Sequence, residues 1–313
     1  MKIVYAGTPQ FAVRPLEKIL DAGFDVAGVL AQPDRPQGRK GLLVPPPVKA
    51  LALKRGIPVF QPAKLKEETA GLAALGGDVM ITCAYGQILT REALALFPLG
   101  VWNLHASLLP RYRGASPVQA AIAAGEKETG VTVMRTALGL DTGDILFSER
   151  TPIGEKETFG ELSARLSEIA ADCLLRALPL IEGGRVALTP QGETAAPPTR
   201  KIEKEDARLH FALPAKKITD LVRAFNPEPL AFTEAQGLRI NVFTAEETAR
   251  PAGTENAAAG EILSDSPKVG LVVACGNGEA VRLTEVQAAG GKRMKGSDFL
   301  NGRKVKKGQV FSC

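Results

Sequence analysis

The sequence predicts an α/β protein of two domains: a larger N-terminal domain on a mostly parallel sheet and a smaller C-terminal β domain. Through the first half of the 313 residues, short apolar runs alternate with helical patterns. That alternation is typical of sheets whose strands are largely parallel. The last third consists mainly of short apolar runs separated by turns, as in small barrels and sandwiches. A stretch rich in glycine, proline and polar residues lies between the two parts.

The N-terminal part is expected to alternate strands and helices in chain order. Strands are predicted from apolar runs at 2–7, 25–32, 57–62, 78–86, 101–107, 130–136 and 144–150. Helices are predicted from apolar residues at helical spacing at 11–23, 48–56, 66–77 and about 158–182. In such sheets ligands bind outside the carboxyl ends of the strands, so polar residues at those ends are the first candidates for a site.

The remaining elements divide the chain into domains at 1–188 and 207–313. Residues 189–206 are expected to form a linker, because they combine glycines, a Pro-Pro pair and many polar residues. After the linker, a helix is predicted at 214–225, and apolar runs follow at 238–243, 260–265, 269–278 and 279–288. This pattern favours a small β-barrel or a sandwich.

Composition excludes several classes of protein. Hydrophobic residues make up 45% of the chain and charged residues 23%, which is ordinary for a globular protein. The sequence has no apolar run long enough for a membrane span and no signal-peptide pattern. Cys83, Cys173, Cys275 and Cys313 are far apart and form no CxxC pair, which argues against a disulfide framework or a zinc site. We therefore expect a cytoplasmic protein without a metal.

Positive charge is concentrated near the C-terminus. The net charge is +5, and from Gly290 onward seven basic residues accompany a single acidic residue, Asp298. The basic residues are Lys292, Arg293, Lys295, Arg303, Lys304, Lys306 and Lys307. Such a cluster would attract a polyanion. A solvated basic face that aids solubility is the alternative interpretation.

Asn103 and His105 are the first candidates for chemistry. His105 stands at the carboxyl end of a predicted strand, and Asn103 lies two residues before it, so both side chains point to the same face. Histidine transfers protons near neutral pH, and an amide can stabilise a developing oxyanion. The other histidine, His210, follows the predicted linker, where we expect a surface or packing role.

The segment GLDTGDIL offers carboxylates for the same site. Asp141 and Asp144 lie on a glycine-bounded turn between two predicted strands. A carboxylate there would orient the imidazole or favour its protonated form. A plain turn built on two turn-forming aspartates explains the same pattern, so the residues of this segment alone leave both interpretations open.

Familiar cofactor and nucleophile motifs are missing from the sequence. No GxGxxG follows the first strand and no GxxxxGK[ST] occurs, so neither a dinucleotide-binding loop nor a P-loop is predicted. The sequence also lacks a GxSxG elbow, which argues against an α/β-hydrolase serine.

Five separated segments together resemble the methionyl-tRNA formyltransferases. In chain order they are KIVYAGTPQFA, AQPDRPQGRKGLLVPPPVKALA, NLHASLLPRYRGASPVQAAI, GLDTGDIL and RAFNP. NLHASLLP with a later LDTGD is specific to folate-dependent formyltransferases and their relatives, and the polar loop and basic second domain narrow the resemblance to the tRNA enzymes. The resemblance implies a Rossmann-like formyltransferase domain and a small OB-like barrel that helps to hold tRNA.

The same resemblance implies an activity and its catalytic residues. The family transfers a formyl group from 10-formyltetrahydrofolate to the α-amino group of methionine on initiator tRNA, in support of translation initiation. Asn103, His105 and Asp141 match its catalytic positions. We expect the folate to be a co-substrate, no cofactor to be tightly bound, and the enzyme to be a monomer that does not bind membranes.

The resemblance also assigns candidate binding residues. Ser107, Leu108, Leu109 and Pro110 match the folate-binding stretch, and Tyr85, Gly86 and Gln87 either border the same pocket or form an ordinary strand-to-helix turn. Arg35, Arg39 and Lys40 lie in a loop that meets the acceptor end of the tRNA in the family, and Arg39 matches its key arginine. Candidate tRNA contacts in the second domain are Lys292, Arg293, Lys304, Lys306 and Lys307.

One departure from the family and three rival functions remain open. The family often has a tryptophan in a pattern like NPWPGA, where this chain reads FNPEPLAF with Glu228. A close rival is a formyltransferase or hydrolase that acts on a glycinamide ribonucleotide, a nucleotide sugar or the folate itself. A second rival is a non-catalytic tRNA- or RNA-binding protein. A nicotinamide-dependent dehydrogenase is the most distant, because the glycine-rich loop is missing.

Overall fold

A computed structural model describes residues 1–37, 41–192, 194, 196–264, 266–302 and 305–312. The chain forms two compact units. The first comprises Met1–Pro117, Glu128–Pro152 and Ser163–Arg200, and the second comprises Val118–Lys127, Ile153–Leu162 and Lys201–Cys313.

The first unit is built on a mostly parallel sheet. Its strands are β1 (Lys2–Gly7), β2 (Asp25–Leu30), β3 (Arg35–Gln37), β4 (Leu42–Val44), β5 (Val59–Phe60), β6 (Val79–Cys83), β7 (Val101–His105), β8 (Glu128–Arg135) and β9 (Ile145–Pro152). In the described part of the chain, the main sheet has the order β5-β2-β1-β6-β7-β8-β9. The pairs from β5 to β7 are parallel, and β8 and β9 add antiparallel strands. Strand β1 is central, and accordingly its residues from Ile3 to Ala6 are fully buried.

Helices lie between the strands of the first 200 residues and after the last of them. They are α1 (Val13–Asp21), α2 (Pro47–Lys54), α3 (Thr69–Ala73), α4 (Arg91–Ala95), α5 (Pro117–Ala123) and α6 (Phe159–Glu182). Helix α1 shows why such segments form: Leu16 and Ile19 are fully buried and three residues apart, on one face of the helix. No helix in the described ranges is both long and apolar enough to cross a membrane.

The second unit contains a curled antiparallel sheet. Its elements are α7 (Ala215–Ala224), β10 (Ala231–Ala235), β11 (Leu238–Thr248), β12 (Ile262–Ser264), β13 (Leu271–Ala274), β14 (Ala280–Ala288), β15 (Met294–Lys295) and α8 (Gly296–Asn301). The strand order is β10-β11-β14-β13-β12, with β15 beside β14. Ser312 bridges to Glu234 on one edge strand, and Val310 bridges to Glu261 next to the other edge. The C-terminal residues therefore link the two edges of the sheet into a small barrel.

The predicted fold class is confirmed, and the differences are in short elements. The loop after β2 contains the hairpin β3–β4, where only a polar loop was predicted. The helix predicted at 66–77 shortens to α3, which is followed by Gly76 and Gly77. Helices α4, α5 and α8 have five to seven residues, too few for a helical repeat to stand out in the sequence.

Candidate active site

Strand β7 carries two polar side chains at the edge of the sheet where ligands are expected. Asn103 and His105 alternate with Trp102 and Leu104 along the strand, so the two polar side chains share one face. His105 is buried, with 5% of its surface exposed, and Asn103 is half-buried. β7 lies between β6 and β8, so both neighbouring strands limit where these side chains can point.

The imidazole of His105 is held from both sides. Its Nε2 lies 2.9 Å from the carbonyl oxygen of Tyr112. Because a carbonyl oxygen only accepts, Nε2 carries a proton and donates it to this hydrogen bond. Nδ1 lies 3.5 Å from Oδ2 of Asp141. Both ring nitrogens therefore face oxygen acceptors, which is the environment that a ring with two N–H donors would satisfy.

Asp141 is placed by the loop between β8 and β9. Its backbone has a φ of 49°, in the left-handed region that aspartate tolerates better than most residues. Its Oδ2 accepts a hydrogen bond of 2.8 Å from the backbone N–H of Gly114, and 16% of its side chain is exposed. The loop thus presents a fixed carboxylate to β7.

The amide of Asn103 has a defined orientation. The Thr82 hydroxyl donates to Asn103 Oδ1 over 2.9 Å, and Asn103 Nδ2 donates to Asp141 Oδ1 over a longer 3.4 Å. The oxygen of the amide therefore faces β6 and its NH2 group faces the carboxylate. The three candidate catalytic residues, Asn103, His105 and Asp141, come together in one cluster.

The segment from Ser107 to Pro110 forms a turn directly after β7. Ser107 is fully buried and its hydroxyl donates to the Arg111 carbonyl over 2.7 Å. Leu109 is buried, whereas Leu108 and Pro110 are half-buried. The hydroxyl of Ser107 is thus engaged within the protein, and any ligand here would meet mainly backbone groups and the side chains of Leu108 and Pro110.

Tyr85, Gly86 and Gln87 follow β6 at the same edge of the sheet. The amide of Gln87 donates to the Pro62 carbonyl over 2.9 Å and accepts from the backbone N–H of Leu65 over 2.8 Å. Tyr85 is 4% exposed, and its hydroxyl has no hydrogen-bond partner within the described residues. Burial raises the pKa of Tyr85, so its hydroxyl stays protonated at neutral pH. The side chains of Tyr85 and Gln87 thus pack and bond within the protein, as expected for an ordinary strand-to-helix turn.

The candidate tRNA-binding residues lie in different parts of the chain. Arg35 is exposed in β3, where it pairs with Val44 of β4. Arg39, Lys40 and Lys304 lie outside the described residues. The remaining candidates, Lys292, Arg293, Lys306 and Lys307, are exposed and lie in the second unit. Glu228 is also exposed, so its carboxylate is solvated in the position where the family often has a tryptophan.

Four further residues contribute to the cluster and were not predicted from the sequence. Thr82, Tyr112 and Gly114 contact the three polar side chains as described above, and Gln191 donates to the carbonyl oxygen of Asp141. Tyr112 and Gly114 act through backbone atoms, which leave no signal in the sequence. Among the described residues, no group of three or more His, Cys, Asp or Glu side chains is arranged to hold a metal ion.

Solved structures share this fold. HypX from Aquifex aeolicus superposes with a TM-score of 0.66 at 18% identity, over 98% of this chain and 50% of HypX. This chain thus spans about half the length of HypX. WlaRD, a sugar 3N-formyl transferase, superposes with a TM-score of 0.64 at 19% identity, over 90% of this chain and 96% of WlaRD. At these identities the likeness shows the fold alone.

Curated relatives match along the full chain. Methionyl-tRNA formyltransferase from Symbiobacterium thermophilum is 43% identical over 100% of this chain and 95% of the relative. Those from Anaeromyxobacter dehalogenans and Pseudomonas putida are each 44% identical over 98% of this chain, and the matches extend over 98% and 97% of these two relatives.

Both parts of the chain also match formyl transferase domains. Residues 1–178 match the family described as "Formyl transferase", and residues 201–304 match "Formyl transferase, C-terminal domain". Because the two matches cover most of the chain and relatives at 43–44% identity extend over nearly all of it, the chain belongs to the methionyl-tRNA formyltransferase family.

Proposed function

We propose that this protein transfers the formyl group of 10-formyltetrahydrofolate to the α-amino group of methionyl initiator tRNA. The convergence of Asn103, His105 and Asp141 carries this proposal. It occurs in a chain whose full-length relatives are methionyl-tRNA formyltransferases. The proposed enzyme acts in translation initiation and uses the folate as a co-substrate.

The reaction begins when the neutral amine of methionine attacks the formyl carbon. A tetrahedral intermediate with a negative oxygen forms, and the bond from carbon to the folate nitrogen then breaks. The amine loses a proton and the departing folate nitrogen gains one. The site must therefore stabilise an oxyanion and move a proton.

Asn103 and His105 are the oxyanion donors in this mechanism. Asn103 Nδ2 and His105 Nδ1 lie 3.4 and 3.5 Å from the Asp141 carboxylate. These distances are longer than those of good hydrogen bonds, so both donors are available to a developing negative oxygen. Nε2 of His105 is bound to the Tyr112 carbonyl, so Nδ1 is the nitrogen that reacts. His105 passes its proton, directly or through water, to the departing nitrogen.

Asp141, whose Oδ2 lies 3.5 Å from His105 Nδ1, orients the imidazole and places a water molecule. The backbone N–H of Gly114 fixes Oδ2 of the carboxylate, which leaves Oδ1 for Asn103 and water.

The folate is proposed to bind along the turns that follow β6 and β7. These turns contain 85–87 and 107–110, at the carboxyl ends of parallel strands. Support comes from proteins of the same fold: HypX has been crystallised with tetrahydrofolic acid, and WlaRD with 5-N-formyl-THF. The loop with Arg39 and the basic residues near the C-terminus are proposed to contact tRNA phosphates; the latter are Lys292, Arg293, Lys304, Lys306 and Lys307. Such contacts position a nucleic acid.

Formyl transfer from 10-formyltetrahydrofolate to methionine-charged initiator tRNA tests the function. His105→Ala should lose most of the activity, whereas His210→Ala, which alters an exposed histidine in the second unit, should retain it. A wild-type enzyme that consumes the folate without formylating the tRNA would point to a small-molecule acceptor. Binding of tRNA with no formyl transfer at all would favour the non-catalytic alternative.

A further inference from the structure

The segment from Thr189 to Thr199 is attached to the active-site loops near both of its ends. Thr189 exchanges two backbone hydrogen bonds of 2.8 Å with Ile145, the first residue of β9. The backbone N–H of Thr199 donates to the Arg113 carbonyl, and the Thr199 carbonyl accepts from the N–H of Ala115. Although the composition of 189–199 resembles a linker, its described residues belong to the first unit.

Gln191 connects the two active-site loops through its side chain. Its Nε2 donates to the carbonyl oxygens of Asp141 and Gly143 over 2.9 and 2.6 Å. Its Oε1 accepts from Nε and Nη2 of Arg113 over 3.0 and 2.8 Å. An amide has two N–H donors and two lone pairs on its oxygen, and these four contacts engage both ends of it; Nε2 also lies 4.0 Å from Met134 Sδ, a weak acceptor.

The two loops joined by Gln191 supply the contacts that orient the catalytic cluster. The loop with Arg113 provides the Tyr112 carbonyl for His105 and the Gly114 N–H for Asp141. The other loop carries Asp141 itself, with its left-handed backbone. Such a conformation costs free energy and persists only where surrounding contacts impose it.

We propose that Gln191 is a positioning residue, which fixes the Asp141 carboxylate relative to Asn103 and His105. Gln191 contacts backbone atoms of Asp141 and Gly143 and the guanidinium of Arg113, and it acts on the reaction only through them. The inference rests on the proposed function, because the reaction that it supports is the formyl transfer. The alternative is that Gln191 contributes to the stability of the fold alone.

Gln191→Ala and Gln191→Glu separate these possibilities in single-turnover formyl transfer. We expect Gln191→Ala to lower the rate of the chemical step by roughly 10- to 100-fold, since a misplacement of about 1 Å costs rate on that order. KM for tRNA and for folate should change little. Glutamate can still accept from Arg113 but has no N–H for the two carbonyls, so Gln191→Glu should lose about as much.

A second measurement uses the Asp141→Ala background. If Gln191 acts through Asp141, adding Gln191→Ala to Asp141→Ala should change the rate by less than about 2-fold, because residues that act as a unit are not additive. Thr194→Ala is the control in the same segment: among the described residues, the Thr194 hydroxyl accepts from the nearby N–H of Ala196, and this variant should match wild type. Thermal unfolding of each variant shows that the protein is folded.

If the wild-type enzyme transfers the formyl group, the proposed function holds, and three results would then overturn the inference alone. They are a wild-type rate in Gln191→Glu, an equal loss from Gln191→Ala in both backgrounds, and an effect confined to KM for tRNA. Absence of transfer by the wild-type enzyme would instead overturn the proposed function, and the inference with it.

Discussion

At the scale of single residues, the function depends on which atom of each side chain faces the reaction. Thr82 donates to Asn103 Oδ1, so the amide presents its NH2 group to the site. A strand determines to which face of the sheet a side chain points, but the rotamer of that side chain depends on neighbours in other elements. Here that neighbour is on β6, 21 residues away in the sequence.

Asn103→Ala should lower kcat by on the order of 100- to 1,000-fold, the usual cost of removing one oxyanion donor. Asn103→Asp keeps the shape but replaces the NH2 donor by a charged oxygen, so it should be at least as damaging. Steady-state formyl transfer with saturating folate and tRNA measures both. Nearly full turnover by Asn103→Ala would refute the role given to this amide.

The residues of the site differ in how far the sequence could reveal them. Asn103 and His105 are predictable from strand periodicity and side-chain chemistry alone. Asp141 needed the family resemblance, because two aspartates on a glycine-bounded turn are common without any function. Gln191 and the Tyr112 carbonyl could not be predicted, since their contacts depend on how distant loops meet.

At the scale of elements, the turn between β8 and β9 is restricted by a glycine. A Cβ on Gly143 would lie 1.7 Å from the carbonyl oxygen of Arg135, a backbone atom that cannot move aside alone. The same turn carries Asp141, and the Gly143 carbonyl accepts from Gln191. The turn and the active site are therefore coupled.

Gly143→Ala should displace this turn and reduce kcat by at least about 10-fold, since a shift of about 1 Å at a catalytic group has effects of this order. Gly192→Ala is the matched control, because a Cβ at Gly192 would have no atom of the described residues within 4 Å apart from its chain neighbours. Formyl transfer and thermal unfolding are measured for both. Equal activity of the two variants would show that the turn tolerates the change.

A second element, the loop after β2, is closed at its base by charged groups. Lys49 Nζ lies 2.9 and 2.8 Å from the two oxygens of Asp34, and the Gln61 amide donates to the same carboxylate over 2.8 Å. The hydrogen bond from Gln61, then the hydrogen bond from Lys49 and lastly the charge of Lys49 hold the pKa of Asp34 below its ordinary value. Arg39 belongs to this loop but lies outside the described residues.

The stabilisation by Asp34 should depend on pH with a definite sign. Because its pKa is lower in the folded protein, its contribution is complete above the unfolded pKa of about 3.9 and is lost as pH falls through the folded value. Asp34→Asn should therefore unfold at lower denaturant than wild type at pH 7, and the difference should shrink below about pH 4. A difference that stays constant from pH 7 to pH 3 would contradict this.

The predictability of the elements follows their length and periodicity. Strand β7 and helix α6 have clear periods and were predicted within two residues of their ends. The hairpin β3–β4 was not predicted, because Pro36 and a glycine-rich segment interrupt it. Its strands have three residues each, too few for period-two alternation to emerge.

At the scale of the whole molecule, compact units and continuous sequence blocks do not coincide. Val118–Lys127 and Ile153–Leu162 belong to the second unit, although both segments lie within the predicted N-terminal domain, 1–188. Within that unit, Arg223 donates to the carbonyl oxygens of Gly154 and Glu157. Local patterns cannot reveal such long-range contacts, and the boundaries 1–188, 189–206 and 207–313 stay a prediction.

The basic residues near the C-terminus differ in how they are held. Arg293 makes two hydrogen bonds of 2.6 Å to Glu285 and lies over the ring of Phe243. This arrangement lowers the pKa of Glu285 and fixes the guanidinium on the barrel surface. Arg293 is thus partly neutralised within the protein, and lysines of the same cluster are better probes of phosphate binding.

Salt dependence tests whether this cluster contacts tRNA. When a protein binds tRNA through phosphates, the logarithm of the binding constant falls linearly with the logarithm of the salt concentration. Each lost phosphate contact should reduce the steepness of this line by about 1. Lys292→Gln and Lys306→Gln, both at exposed positions, should each reduce it by that amount. Lys268→Gln removes the same charge from an exposed turn of the same unit and should leave the slope unchanged. The slopes are obtained by measuring tRNA binding from 50 to 200 mM salt. If the slopes are equal in all variants, these lysines do not contact phosphates. The formyl transfer could then still hold, but the second unit would have to bind tRNA through other residues.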